Sequence, residues 1–167
     1  MNEKLLESLR QVHILSGLSD QELVQFGRCC KVRQVAADQV IFQEGDEGDE
    51  LFIIHEGCVR ISINALVAEN TMAPTTINML YAGQSFGEMV LMGGANRSAT
   101  VTSVEPCFLL VIQEYDFANL CEANPRIGYC VMRNLAADLV YKLRSSNLLL
   151  RGNIRWRGDE LSRRSKQ

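Results

Sequence analysis

The sequence predicts a mainly β domain with flanking helices. Short apolar runs with a period of two fill its middle, glycines separate them, and helical segments lie before and after them. Short strands at this spacing are typical of an all-β sandwich, barrel or jelly roll. The chain has 167 residues, 47% hydrophobic and 22% charged, which suits one domain with an appendage. We assign residues 1–150 to this domain and residues 151–167 to a basic, flexible C-terminal tail.

The N-terminal segment is predicted to be helical. Residues 2–12 read as an amphipathic helix, and Ser19 with Glu22 has the spacing of a capping box that opens a second helix ending near Cys29. The start of the chain lacks the apolar core of a signal peptide, and no apolar run approaches the ~20 residues of a membrane span. We therefore expect a cytoplasmic protein without a membrane partner.

The central segment is predicted to form the strands of the domain. Residues 64–74 between two of the runs read as a long hairpin loop, and four glycines mark turns elsewhere. The predicted strands are residues 40–42, 51–54, 59–63, 76–80, 99–101 and 108–112, and the turn glycines are Gly45, Gly48, Gly57 and Gly83.

Helix is predicted again at residues 115–122 and 125–150. The longer segment carries a heptad-like seam, which fits either a stripe packed on the helix's own barrel or a homodimer contact. The two interpretations do not exclude each other. The seam residues are Met132, Ala136, Leu139, Leu143, Ser146 and Leu150.

No catalytic or metal site is expected. The six cysteines contain no CxxC pair, and His13 and His55 are isolated. The acidic turn at residues 45–50 lacks the ligand spacing of a calcium loop. We see no nucleophile–base pair, so we expect neither an enzyme nor a resident cofactor.

The net charge of −3 is unevenly distributed along the chain. Residues 142–167 contain eight Lys or Arg residues and two acidic ones, so the rest of the chain is acidic. A basic end could meet nucleic acid or an acidic partner, or it could simply be solvated. Beyond Leu150 the chain is too short and too poor in apolar periodicity for a helix-turn-helix, so we do not expect DNA binding. Trp156 could stack on a base, or it could equally pack back onto the barrel.

The stretch FGEMVLMGGANRSAT, residues 86–100, is the candidate ligand site. Gly87 and Glu88 fall where a strand ends and a short helical turn begins, and free N–H groups at such a turn attract anions. After a Gly-Gly loop, the guanidinium of Arg97 could meet the same anion with two hydrogen bonds. A sugar phosphate fits, with its hydroxyl on Glu88. The alternative is that Glu88 and Arg97 simply pair with each other.

Two motifs in this order resemble the cyclic nucleotide-binding domain family. Phe86-Gly87-Glu88-x-x-Leu91, followed after five residues by Arg97-Ser98-Ala99-Thr100, is similar to its phosphate-binding cassette. Residues 43–57, with their glycine-marked turn and strand, resemble the family's other signature. The resemblance covers residues 12–145 and implies an eight-stranded, jelly-roll-like β-roll with N-terminal helices. The ligand would lie between the cassette and a C-terminal helix that acts as a lid.

The resemblance also implies roles for individual residues. Arg97 would bind the cyclic phosphate and Glu88 the ribose 2′-hydroxyl, while the helix at residues 125–150 would close over the base with Tyr141 and Lys142. Ser98 does not settle the base, and we expect cyclic AMP rather than cyclic GMP. The output would pass to an unidentified effector protein. The alternatives are a scaffold that keeps the fold without the ligand, or a transcription-regulator-like protein without a DNA-binding domain. The implied ligand-binding residues are Gly87, Glu88, Met89, Val90, Arg97, Ser98 and Ala99.

Overall fold

The domain is a roll of two four-stranded antiparallel sheets. The computed structural model describes the backbone of residues 3–68, 71–94 and 96–164, and side chains up to residue 144 apart from residues 4, 67 and 68. Within this part, one sheet has the strand order β1-β8-β3-β6 and the other β2-β7-β4-β5. The strands are β1 (Lys31–Val35), β2 (Val40–Phe42), β3 (Glu50–Glu56), β4 (Cys58–Ala68), β5 (Thr71–Tyr81), β6 (Ser85–Phe86), β7 (Thr100–Ser103) and β8 (Cys107–Gln113).

Strands β3 and β8 are buried on both faces, which explains their continuous apolar sequences. Leu51 and Ile53 point into a core shared with the helices, whereas Phe52 and Ile54 point into a second core between the sheets. Strand β8 alternates in the same way. Because successive side chains of a strand lie on opposite faces, only an all-apolar run can serve two cores at once. The eight-stranded β-roll expected from the resemblance is confirmed.

Helices cover the first sheet on one side. They are α1 (Glu3–Arg10), a 3₁₀ turn (His13–Leu15), α2 (Asp20–Cys29), α3 (Glu114–Ala123) and α4 (Pro125–Arg164). None of the helices in the described residues has the length and hydrophobicity to cross a bilayer.

The predicted capping box is present at the start of α2. The Glu22 amide donates to Ser19 Oγ, and the Ser19 amide donates to Glu22 Oε2 at 2.8 Å. Glu22 also pairs with Arg126 of α4, whose guanidinium donates to the Gly17 carbonyl as well. One carboxylate therefore caps α2 and ties it to α4. Its pKa falls to about 2, chiefly through the Arg126 hydrogen bond and then through Ser19.

The prediction of a long loop at residues 64–74 is wrong. Strands β4 and β5 pair antiparallel from Cys58 opposite Tyr81 to Ala68 opposite Thr71, so most of this segment is a strand ladder. Alanines, Asn64 and Pro74 obscure the alternation of the hairpin in the sequence. The first strand, β1, was also absent from the predicted set of strands, and β6 was expected only as the end of a strand before Gly87. Strand β6 has only two residues, too few to show a period.

Helix α4 packs on the domain mainly with a different stripe from the predicted seam. Ile127, Val131 and Leu135 are completely buried, whereas Ala136 and Leu143 of the seam are exposed. Met132 of the seam is half-buried and packs against the same core, so the seam contributes to intramolecular packing at its start, and its role as a dimer contact stays a prediction. The backbone of α4 is helical to Arg164, beyond the predicted end at Leu150. Flexibility of the tail at residues 151–167 stays a prediction, because the side chains of this segment lie outside the described residues.

Candidate functional site

A cavity of about 620 Å³ lies against the outer end of the roll, and helix α4 forms part of its wall. Its lining includes the charged side chains of Arg97 and Glu88 in the cassette and Lys142 on α4, together with several aliphatic side chains. All seven site residues expected from the sequence line this cavity. The other lining residues are Phe42, Ile61, Ile63, Ile77, Asn78, Leu80, Phe86, Asn96, Val101, Tyr141 and Lys142.

The cassette has the local structure that the sequence predicts. Strand β6 ends at Phe86, Gly87 takes a left-handed conformation with φ of 75°, and a 3₁₀ turn runs from Glu88 to Met92. A Cβ atom on Gly87 would lie 2.7 Å from Arg97 Nη1 and 2.9 Å from the Glu50 carbonyl oxygen. Position 87 therefore requires glycine for two reasons, the left-handed backbone conformation and the close approach of the Arg97 side chain.

Arg97 is a buried cation with an incomplete set of hydrogen bonds. Its residue exposure is 6%, and Nη1 donates to the carbonyls of Glu50 at 2.8 Å and Gly87 at 3.4 Å. Its Nε has no partner in the described structure. Burial lowers the pKa of Arg97 and outweighs the opposing effect of nearby carboxylates, although arginine stays protonated at neutral pH. A buried donor without a partner is costly, so the site is suited to an incoming anion.

The glycine-marked turn at residues 45–48 braces Arg97. The Gly45 amide donates to the Arg97 carbonyl and the Arg97 amide donates to the Asp46 carbonyl, each at 2.8 Å. A Cβ atom on Gly48 would overlap the Arg97 guanidinium group. The two sequence motifs therefore form one site, because the first holds the backbone and leaves the space that the arginine of the second occupies. From the sequence Gly48 was interpreted as a turn residue only.

Glu88 pairs with helix α4 and not with Arg97. Its Oε1 accepts from Lys142 Nζ at 2.8 Å, and the same ammonium group lies 2.7 Å from Asp138 Oδ2. Burial lowers the pKa of Lys142, but the carboxylates of Glu88 and Asp138 outweigh it, so this pKa lies above its ordinary value. The described structure contains no Glu88–Arg97 ion pair, so the alternative that these two residues simply neutralise each other is wrong.

The remaining candidate residues differ in their burial. Val90 and Ala99 are buried at 3% and 8% exposure, whereas Met89 and Ser98 are exposed at the cavity rim. Sequence analysis missed Phe42 and the aliphatic wall. Phe42 lies in strand β2, far from the cassette along the chain, and the wall residues look like ordinary inward-facing strand positions. Only pairing of β2 with β7, and of β4 with β5 and β7, brings them to the site.

The cavity combines a mainly apolar lining with a buried arginine and a buried carboxylate, which is a composition suited to a small organic anion that also carries hydroxyl groups. The model of the cyclic nucleotide-binding domain matches residues 32–124, which is more than half of the chain. The chain belongs to this family.

Two similar proteins and one similar crystal structure illustrate the resemblance of this chain to known members of the family. The cyclic AMP receptor protein of Thermus thermophilus is 34% identical over 110 residues, which cover 66% of this chain and 47% of that protein. Glutaminase 1 of Bradyrhizobium diazoefficiens is 32% identical over 139 residues, 83% of this chain and 21% of that protein. The crystal structure of the Thermus thermophilus catabolite activator protein is 31% identical, with a TM-score of 0.71, and the match covers 82% of this chain and 61% of that one. The chain thus spans less than half the length of either curated relative.

Proposed function

We propose that this protein is a regulatory receptor for a 3′,5′-cyclic nucleotide, with cyclic AMP preferred. The observation that carries the proposal is Arg97, which lines the cavity as a buried cation and whose Nε has no hydrogen-bond partner among the described residues. The cyclic phosphate, with one negative charge, would accept from this guanidinium and from the amides of Gly87 to Val90, Ser98 and Ala99. The ribose 2′-hydroxyl would donate to Glu88.

The preference for cyclic AMP rests on the aliphatic wall. Ile61, Ile63 and Leu80 line the cavity, and a purine reaching from Arg97 towards α4 would contact them. Guanine presents a carbonyl and a 2-amino group that adenine lacks, and polar groups buried without partners cost free energy. The exposed Ser98 offers a hydroxyl at the rim, and Tyr141 and Lys142 of α4 would contact the base.

The signal would leave through helix α4. Lys142 already binds Glu88, the group proposed for the ribose, so a bound sugar must change or share this contact. A ligand shifts a conformational equilibrium only by binding two states differently, and the Lys142–Glu88 pair supplies such a difference. The receiver would be an effector protein in the cytoplasm, or a second copy of this chain, and the domain itself would catalyse no reaction.

Titration calorimetry on the purified protein with cyclic AMP, cyclic GMP and 5′-AMP tests the proposal. We expect binding of cyclic AMP, weaker binding of cyclic GMP, and no comparable binding of the dianionic, non-cyclic 5′-AMP. Tighter binding of cyclic GMP would reverse the base preference. Absence of heat with both cyclic nucleotides, at more than one temperature, would leave a scaffold without ligand as the better description.

A further inference from the structure

Arg97 rests on the face of an aromatic ring that lies outside the cassette. Its guanidinium carbon is 4.2 Å from the centroid of Phe42 and 5.6 Å from that of Phe52. Phe42 is held in turn by two further rings, with centroid distances of 5.8 Å to Phe52 and 5.9 Å to Phe86. Phe52 and Phe86 are themselves stacked at 5.0 Å with an angle of 4° between their planes. Three packed rings therefore support one buried cation.

The hydrogen bonds of Arg97 leave the plane of its guanidinium underdetermined. Among the described residues, only Nη1 has hydrogen-bond partners, the carbonyls of Glu50 and Gly87, and these fix one corner of the group. A cation over an aromatic face is attracted to it, and this attraction is larger where water is excluded. Such a contact also offsets part of the cost of burying the charge.

We propose that Phe42 is a positioning residue for Arg97 and thereby sets the affinity for the anionic part of the ligand. The ring restrains the guanidinium group over its face, so that the group is in place for the phosphate without a rearrangement on binding. This inference rests on the proposed function, because it assigns the group that orients the phosphate-binding arginine. It also gives strand β2 a role in recognition although it precedes the cassette by more than forty residues.

The test compares Phe42→Leu, which keeps an apolar side chain but loses the ring, with Phe42→Tyr, which keeps the ring. We expect Phe42→Leu to weaken cyclic AMP binding about three- to thirtyfold and Phe42→Tyr to stay near wild type. In an Arg97→Ala background, Phe42→Leu should cause no further loss. The matched control is Phe26→Leu, since Phe26 is a fully buried ring in the other core and away from the cavity. It should lower the melting temperature and leave affinity unchanged.

A second measurement needs no ligand. The Nε–H resonance of Arg97 in the ligand-free protein should carry a ring-current shift that Phe42→Leu removes and Phe42→Tyr retains. Affinity and resonance both unchanged in Phe42→Leu would overturn the inference, as would equal losses of affinity in the Leu and Tyr variants. If the wild type bound no cyclic nucleotide, the proposed function would fail. The resonance would still decide whether Phe42 orients Arg97, and an unchanged resonance would overturn that as well.

Discussion

At the scale of single residues, Arg97 and Glu88 differ in how their hydrogen bonds are satisfied before a ligand binds. Among the described residues, Arg97 Nε has no hydrogen-bond partner, whereas the Glu88 carboxylate already accepts a hydrogen bond from Lys142. A ligand therefore adds hydrogen bonds to Arg97 but must share or replace one at Glu88. We expect Arg97→Ala to weaken cyclic AMP binding by at least about 3 kcal/mol, more than a hundredfold. Glu88→Ala should cost less, about 1.5–3 kcal/mol, because it also removes a negative charge near the phosphate. Calorimetry on both variants measures the difference.

The control for this pair is Arg97→Lys, which keeps the charge and loses the planar fork of donors. It should not restore binding, because an ammonium group cannot take the place of both the stacked plane and the Nε donor. Arg97 also bonds the Glu50 carbonyl, so each variant needs a thermal melt without ligand to confirm folding. A greater loss in Glu88→Ala than in Arg97→Ala would mean that the phosphate lies elsewhere.

The sequence predicts the cassette residues well because their spacing is local. Gly87, Glu88 and Arg97 lie in one strand–turn–strand segment, and all three line the cavity as expected. The partners of these residues could not be predicted in the same way. Phe42 under Arg97 and Asp138 beside Lys142 come from separate elements that only tertiary packing brings together. Lys142 was expected to meet the base, and its contact with Glu88 was not foreseen.

At the scale of elements, the Glu22–Arg126 pair links the start of α2 to the start of α4, and it should make stability depend on pH. The folded pKa of Glu22, about 2, lies below its ordinary value of 4.5. A depressed carboxyl pKa contributes stability that is fully present above about pH 4.5 and is lost as the pH falls towards 2. Glu22→Gln should therefore lower stability at pH 7 by about 1 kcal/mol, and the deficit should shrink below pH 4.5.

Chemical denaturation of wild type and Glu22→Gln between pH 7 and pH 3 measures this effect. The matched control is Glu122→Gln on α3, because Glu122 is an exposed carboxylate. The control should differ little from wild type at either pH. A Glu22→Gln deficit that stayed constant over the whole range would show that the carboxylate does not act through its charge.

The first turns of helix α4 pack against the domain, whereas residues 136–144 are attached to it by an ion pair. Ile127, Val131 and Leu135 are fully buried, but no residue between positions 136 and 144 is buried. The Lys142–Glu88 ion pair therefore links residues 136–144 of the helix to the cassette. We expect Lys142→Met to speed amide exchange at residues 136–144 in the ligand-free protein, because the methionine keeps the apolar stem and loses the ion pair.

Hydrogen exchange followed by mass spectrometry compares this variant with Arg144→Met, an exposed position on the same helix that should exchange like wild type. Cyclic AMP should change protection of the same residues in the wild-type protein, and this change should be smaller in Lys142→Met. Identical exchange in wild type with and without saturating ligand would contradict a role of α4 in signalling.

Element prediction from the sequence succeeded where one physical cause dominates. The capping box at Ser19 is a local hydrogen-bond pattern, and strands β3 and β8 are apolar because both of their faces are buried. The hairpin at residues 64–74 was mistaken for a loop because its outer part has exposed side chains such as Leu66 and Met72, and so no polar–apolar alternation. There the ladder of backbone hydrogen bonds, which no side-chain pattern reveals, determines the structure.

At the scale of the whole molecule, the cavity joins two parts of the chain that are far apart in sequence. The cassette contributes Arg97 and Glu88, and α4 contributes Tyr141 and Lys142, so the ligand would bridge the roll and the last helix. Under the proposed function, a small ligand would act on a helix whose backbone continues to Arg164. The chain spans less than half the length of its curated relatives, and an effector that responds to this helix is part of the proposal.

The exposed seam of α4 leads to the last prediction, a parallel homodimer through this helix. Leu143 of the seam is 62% exposed and Val140, one position after the seam residue Leu139, is 48% exposed, and neither belongs to the buried stripe that packs on the domain. A two-fold interface uses each position twice, so Leu143→Glu would remove two buried leucines and place two like charges together. Burying a leucine is worth about 1.5–3 kcal/mol, so dimer affinity should fall more than about a hundredfold. Light scattering after gel filtration should show a dimer for wild type and for the control Arg144→Glu, and a monomer for Leu143→Glu. A wild-type monomer at micromolar concentration, with and without cyclic AMP, would contradict the dimer and leave the seam to another protein.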